Sequence, residues 1–120
     1  MSKHFTESNT VVSVLAKEAE YETLVSATLI ESPHLEVMRL VIPDRQTVRT
    51  DGGASGEITV QCLRGAINFE AAGKQQVLQV GDLAFLASGQ PHAMHAVENS
   101  VVLVTICRQA MPPQGFPVAR

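Results

Sequence analysis

Short apolar stretches, separated by turn-forming residues, fill the second half of this chain. Each gap between them contains a glycine, an asparagine or a proline. Stretches of this length, repeating at intervals of about 8 to 12 residues, are typical of strands in an all-β sandwich or barrel. The predicted strands are EITVQCLR (57–64), AINFEA (66–71), QQVLQV (75–80), LAFLA (83–87), HAMHAV (92–97) and SVVLVTIC (100–107). Because no long amphipathic helical period accompanies them, we predict an antiparallel all-β fold.

The first half of the chain continues this pattern less regularly. Two strands are predicted over residues 24–30 (LVSATLI) and 35–42 (LEVMRLVI), with turn residues between them. An extended segment over residues 46–50 then leads into the glycine-rich loop 51–56. Residues 10–15 (TVVSVL) fit a strand and the following AKEAEYE fits a short helical turn, but the period is too brief to decide.

The length of 120 residues is that of one domain. We expect an N-terminal lead over residues 1–23, a barrel core over about 24–107 and a proline-rich tail over residues 109–120. Three prolines stand in the last nine residues, so the tail cannot be a central strand.

Composition narrows the possible partners. The formal net charge is −3, the basic residues form no cluster, and tryptophan is absent, which argues against a nucleic-acid partner. The polar N-terminus does not resemble a secretory signal, and no apolar run is long enough to span a bilayer, so we expect a cytoplasmic protein without membrane contact. Cys62 and Cys107 lie in separate apolar strands, which favours reduced, buried thiols.

The stretch GDLAFLASGQPHAMHA, residues 81–96, carries a resemblance to a known family. Gly81, Gly89 and His92 stand at the spacing of the second cupin motif, G-x5-P-x-G-x2-H-x3-N, with Ala87 and Ala96 at its proline and asparagine positions. The chain therefore resembles the small bacterial single-domain cupins. The resemblance implies a jelly-roll barrel, the cupin double-stranded β-helix, and leaves the activity open because one fold hosts many functions.

The first cupin motif is degenerate in this chain. In cupins that bind a metal, two histidines and a glutamate of the first motif and the histidine of the second motif hold a divalent ion inside the barrel. Gly65 closes the first motif here, but no histidine lies between His34 and His92. The resemblance puts the missing histidines at residues 52 and 54 or at 51 and 53, where Asp51 alone could ligate a metal.

The glutamate of the first motif falls on Ile58, and Glu57 lies one residue earlier. Alternation along a regular strand turns Ile58, Val60 and Cys62 inward and Glu57 outward. A bulge near Gly56 would instead bring Glu57 into the barrel. Both arrangements remain open in the sequence.

The same alternation separates the two histidines of the HAMHA segment. With His92 inward, Met94 and Ala96 share its face and His95 points out. We favour a metal-free pocket. The predicted pocket residues are His92, Ile58, Val60 and Met94. If a divalent metal (Fe, Mn, Ni or Zn) is bound, its predicted ligands are His92, Glu57 and Asp51.

His92 has two interpretations. It serves as a general base, a single metal ligand or a hydrogen-bonding anchor for a small ligand, or it is a buried histidine paired with a backbone carbonyl. The first function hypothesis is accordingly a metal-free or vestigial cupin that binds a small organic molecule or acts as an interaction module. The alternative is a metal-dependent oxygenase or isomerase with an abbreviated site.

We also expect a homodimer. A lone barrel has open strand edges, and the outer face predicted for Leu63 is apolar. Both features gain stability when a second copy covers them.

Overall fold

The structure is a computed structural model that describes residues 4–15, 25–50 and 56–108. Within these ranges the chain forms nine strands and no helix. The strands are β1 (Ala27–Glu31), β2 (Leu35–Ile42), β3 (Thr47–Thr50), β4 (Gly56–Arg64), β5 (Ala66–Ala71), β6 (Lys74–Gln79), β7 (Leu83–Leu86), β8 (His92–Ala96) and β9 (Ser100–Arg108). The described residues accordingly include no helix long and apolar enough to cross a membrane.

The strands form two antiparallel sheets. The five-stranded sheet has the order β1-β2-β9-β4-β7, and the four-stranded sheet has the order β3-β8-β5-β6. Their inner faces enclose one apolar core, whose most deeply buried large side chains are Ile42, Val60, Cys62, Ile67, Met94 and Val102. The predicted antiparallel all-β class is confirmed.

The strands of the second half follow the predicted pattern closely, because each one ends at a turn signal. In the first half, β2 has the predicted bounds, whereas β1 begins at Ala27, three residues later than predicted. Residues 10–15 form no strand. The N-terminal segment instead attaches to β1 through Thr6, whose backbone N–H donates to the carbonyl of Glu31 at 2.7 Å. The possible helical turn and the predicted tail lie outside the described residues.

The two cysteines differ in environment. Cys62 faces the core on β4 and is fully buried, and this burial raises the pKa of its thiol. Cys107 has the opposite orientation on β9 and is exposed. The expectation of two buried thiols is therefore wrong for Cys107, because strand alternation places it on the outer face.

Candidate functional site

Three strands of the four-stranded sheet end together at one edge of the barrel. The register aligns Thr50 of β3, His92 of β8 and Ala71 of β5 in one row across this edge. The turn before β8 contains Gly89 at φ +77°, a conformation that glycine adopts without strain. This turn brings the chain back so that His92 begins β8 on the inner face of the sheet.

The His92 side chain is buried against its neighbours, with 7% of its surface exposed. Thr50 Oγ1 lies 2.8 Å from His92 Nδ1, within hydrogen-bonding distance. A hydroxyl can donate or accept, so this contact suits either neutral tautomer of the imidazole. The ring of Phe69, on β5, lies beside it at a centroid distance of 5.8 Å and a tilt of 35°. The imidazole is thus held between a hydroxyl and an aromatic ring.

Burial lowers the pKa of His92 below its ordinary value of 6.5, and a backbone hydrogen bond at Gln90 offsets part of this effect. Desolvation acts in this direction because it disfavours the charged form of an imidazole. His92 is therefore neutral at pH 7 and above. It can donate one hydrogen bond and accept another, but it brings no positive charge to the site.

His92 forms part of the wall of a cavity of about 910 Å³ between the two sheets. The wall opposite the histidine is contributed by the five-stranded sheet and is wholly apolar. Its residues are Met38, Leu40, Ile58, Val104 and Ile106. On the histidine side, Val48, Thr50, Ala71 and Met94 line the cavity together with the turns at residues 72–73 and 89–91. The cavity thus has an apolar body and one polar region.

Two charged residues, Arg49 and Glu70, also contribute to the lining. The register places them in one row with Ala93, on the face of the sheet opposite to His92. Successive residues of a strand point to opposite faces, so these two side chains belong to the outer rim of the cavity and not to its interior. They also carry opposite charges, which balance among the described residues of the rim.

A second threonine-histidine pair stands three residues away on the same two strands. Thr47 Oγ1 lies 2.7 Å from His95 Nδ1, and the two residues are direct partners in the register. This pair is on the outer face of the sheet, as strand alternation predicts for His95. It does not line the cavity. The chain therefore contains an inner pair and an outer pair of the same composition.

The predicted pocket residues differ in their placement. His92, Ile58 and Met94 line the cavity, whereas Val60 is buried in the core beyond it. Glu57 is exposed and pairs regularly with Cys107, so no bulge turns it inward. The bulge of β4 lies instead between Cys62 and Arg64.

Thr50 was not identified from the sequence. A signal for it exists: threonines at residues 47 and 50 and histidines at residues 92 and 95 have the same spacing. In antiparallel strands, equal spacings allow both residues of one strand to face both residues of the other at once.

The described residues around His92 do not fit a divalent metal. No three histidine, cysteine, aspartate or glutamate side chains converge anywhere in the described part of the chain. Across the cavity His92 faces aliphatic side chains and methionine, where metal-binding sites of this kind need imidazole or carboxylate ligands. Asp51, the remaining predicted ligand, lies outside the described residues.

Comparisons with known proteins identify the fold. The chain is similar to a cupin superfamily protein from Desulfitobacterium hafniense, with a TM-score of 0.69 and 14% identity over 83% of this chain and 100% of that one. It is similar to an RmlC-like cupin from Desulfovibrio desulfuricans, with a TM-score of 0.63 and 21% identity over 87% and 97% of the two chains. It also resembles a conserved protein of unknown function from Streptococcus pyogenes, with a TM-score of 0.68 and 20% identity over 92% and 98%.

No family model matches the sequence, and no curated protein matches it at a significant level. The likeness to solved structures therefore establishes the architecture alone. The chain has the cupin fold, and its activity is unassigned.

Proposed function

We propose that this protein binds a small organic molecule in the cavity between its sheets, without a metal, and that His92 and Thr50 anchor the ligand. The observation that carries this proposal is the inner threonine-histidine pair at the wall of a cavity of about 910 Å³. Ligand sites in proteins combine an apolar lining with a few polar groups that fix the orientation of the ligand. The cavity has this composition.

The proposal of binding without catalysis is supported by the surroundings of the imidazole. Reactions that transfer protons at two substrate atoms use a second acid or base beside the histidine, and in many enzymes that group is a carboxylate. Among the described lining residues, no carboxylate shares the inner face with His92, since Glu70 has the opposite orientation. His92 is thus proposed as a hydrogen-bonding anchor.

The proposal is tested first against its metal-dependent alternative, an oxygenase or isomerase. Protein purified without an affinity tag is analysed for metal content and titrated calorimetrically with Fe, Mn, Ni and Zn ions. We expect substoichiometric metal and no difference between the wild type, His92→Ala and the outer-face control His95→Ala. Stoichiometric metal that is lost in His92→Ala and kept in His95→Ala would overturn the proposal.

Ligand binding itself is tested by ligand-observed NMR with a library of small organic fragments. We expect fragments that bind the wild type and His95→Ala and bind His92→Ala more weakly. A library that yields no binder, or binders equally retained in His92→Ala, would contradict a ligand site at this position.

We further propose a cytoplasmic location. Both cysteines are free thiols, and Cys107 is exposed. An exposed free thiol is typical of a reducing compartment. Subcellular fractionation of the native host cells is expected to recover the protein with the cytoplasmic fraction, and recovery from an oxidising compartment would contradict this location.

A further inference from the structure

The interior of the cavity is distinguished by the absence of charge among its described residues. The inward-facing side chains of the strands are aliphatic or methionine, apart from Thr50 and His92, and the turn at residues 89–91 adds the uncharged Gln90. The charged lining residues, Arg49 and Glu70, stand on the outer face of the same strands. Among the described residues, a ligand that enters the cavity therefore meets uncharged polar groups on the inner face and no counter-ion.

This distribution of charged groups outside the cavity and uncharged groups inside it discriminates between charged and uncharged ligand head groups. Moving a carboxylate or an ammonium from water into an apolar site costs far more than moving an uncharged group, unless an opposite charge or several hydrogen bonds replace the water. The Thr50 hydroxyl and the His92 imidazole bond each other, which leaves one or two further hydrogen bonds for a ligand. They are sufficient for an alcohol or a carbonyl oxygen, which need only one or two partners.

The state of the histidine supports the same conclusion. Its pKa is lowered by burial, so the ring brings no positive charge at neutral pH. The groups that contact it or face it are Thr50, Phe69, the backbone of Gln90 and the aliphatic wall of the five-stranded sheet. Only the hydrogen bond at Gln90 favours the protonated imidazole, and burial outweighs it, so an anionic head group finds no charged partner among the described residues of the inner face.

Resting on the function proposed above, we propose that the cavity selects apolar molecules with a single uncharged oxygen head group, an alcohol or a ketone. Carboxylates and amines of the same carbon skeleton are rejected. The apolar body of the ligand packs against the wall that contains Met38, Leu40 and Val104. Its oxygen atom bonds with Thr50 and His92.

The test uses four probes that share one carbon skeleton: 1-octanol, 2-octanone, octanoate and octylamine. Their affinities for the full chain are measured by calorimetry at pH 8. We expect the alcohol and the ketone to bind at least about tenfold more tightly than the two charged probes, because burying an unpaired charge is strongly unfavourable. Thr50→Val is expected to weaken binding of 1-octanol about fivefold, the effect of one hydrogen bond.

The outer pair provides the matched control. Thr47→Val removes the same hydroxyl from the same strand, outside the cavity, and is expected to leave all four affinities unchanged. Thr50 is exposed, so its valine variant is expected to fold even if His92→Ala does not. These two threonine variants therefore separate a loss of binding from a loss of structure.

Binding of octanoate separates a failure of this inference from a failure of the proposed function. Octanoate that binds as tightly as 1-octanol would overturn the inference and leave the proposed binding function in place. Weakening of that octanoate binding by Arg49→Gln would identify the rim arginine as its partner, which also contradicts the inference. If none of the four probes binds the wild type at millimolar concentration, this inference is wrong, and the fragment library decides separately whether the proposed binding function stands.

Discussion

His92 links the candidate site to the stability of the fold. Its imidazole is buried beside Phe69 and Thr50, and the burial lowers its pKa below 6.5. In the unfolded chain the same ring is hydrated and binds a proton more readily. Protonation therefore favours unfolding, and the stability that depends on neutral His92 is present above pH 6.5 and is lost as the pH falls through the lower, folded-state pKa.

The first prediction follows from this linkage. The free energy of unfolding of the wild type is expected to decrease below pH 6.5, by up to about 1.4 kcal/mol per pH unit for one proton. His92→Gln, which cannot titrate, is expected to flatten this dependence, as measured by urea unfolding between pH 8 and pH 5. His95→Gln, on the outer face, is expected to keep it. If the free energy of unfolding depends on pH equally in the wild type and in His92→Gln, the burial of this ring does not link the stability of the fold to pH.

Gly65 lies in the turn between β4 and β5, and its conformation explains why glycine occupies the position. Its φ is +80°, and an added Cβ would lie 2.4 Å from both the Asn99 carbonyl oxygen and Ser100 Oγ. Gly73 has a similar φ of +76° with nothing within 4 Å of a Cβ. Both glycines therefore have a positive φ, but only at Gly65 would an added Cβ also collide with neighbouring atoms.

This comparison yields the second prediction. Gly73→Ala is expected to lower the free energy of unfolding by about 1 kcal/mol, the cost of a left-handed conformation for alanine. Gly65→Ala is expected to cost about 2 kcal/mol more, since the surrounding backbone must also move. Urea unfolding at pH 8 measures both. Similar losses in the two variants would mean that the turn at Gly65 relaxes easily.

At the scale of the elements, Ser100 connects the two sheets. It begins β9 of the five-stranded sheet, and its side chain is 2% exposed. Ser100 Oγ accepts from the backbone N–H of Ala66, which begins β5 of the other sheet, at 3.1 Å. Its own proton is donated to the carbonyl of Glu98 at 2.7 Å or of Ala66 at 3.0 Å.

The third prediction concerns this junction. Ser100→Ala is expected to destabilise the protein by about 1–3 kcal/mol, because the N–H of Ala66 then remains without its partner at a part-buried position. Ser26→Ala provides the control: Ser26 Oγ also accepts from a backbone N–H, that of Val41, but at an exposed position. Solvent can replace that bond, so a loss below about 0.5 kcal/mol is expected in thermal or urea unfolding. If Ser100→Ala also lowers the free energy of unfolding by less than about 0.5 kcal/mol, water reaches the junction between the sheets.

The elements were predictable because their ends are encoded locally. β4, β5 and β8 each begin or end beside a glycine or proline turn, and alternation within them gives the inward face directly. The N-terminal residues 10–15 have an apolar pattern but no partner strand among the residues that the structure describes. They therefore form no strand, because the pairing that stabilises one is supplied by the tertiary structure.

The candidate site was predictable only in part. Ile58, Val60 and Cys62 share one face of β4, and strand alternation identifies that face for all three. It does not show that Ile58 lines a cavity while Val60 and Cys62 fill the core. That difference depends on depth along the barrel, which is set by the packing of both sheets. Thr50 was missed for the same reason, since its role depends on the register with β8.

At the scale of the whole molecule, the outer face of the five-stranded sheet presents apolar side chains at one edge. The edge strand β7 presents Leu83 and Phe85 to solvent, 63% and 62% exposed. Leu63, from which an apolar outer face was predicted, lies in the bulge of β4 and is half-buried. Among the strands of the five-stranded sheet, the large exposed apolar side chains are thus those of β7, an edge that a second copy of the chain can cover.

The fourth prediction is a homodimer that buries this edge. Light scattering after size exclusion is expected to give about twice the chain mass of 12.9 kDa. Covering an apolar side chain contributes about 1.5–3 kcal/mol, so the double variant Leu83→Gln/Phe85→Gln is expected to dissociate the dimer. Val77→Gln is the matched control, because Val77 is 57% exposed on β6 at the edge of the other sheet. A wild-type mass of one chain would contradict the homodimer, whereas a double variant that stays dimeric would place the interface away from β7.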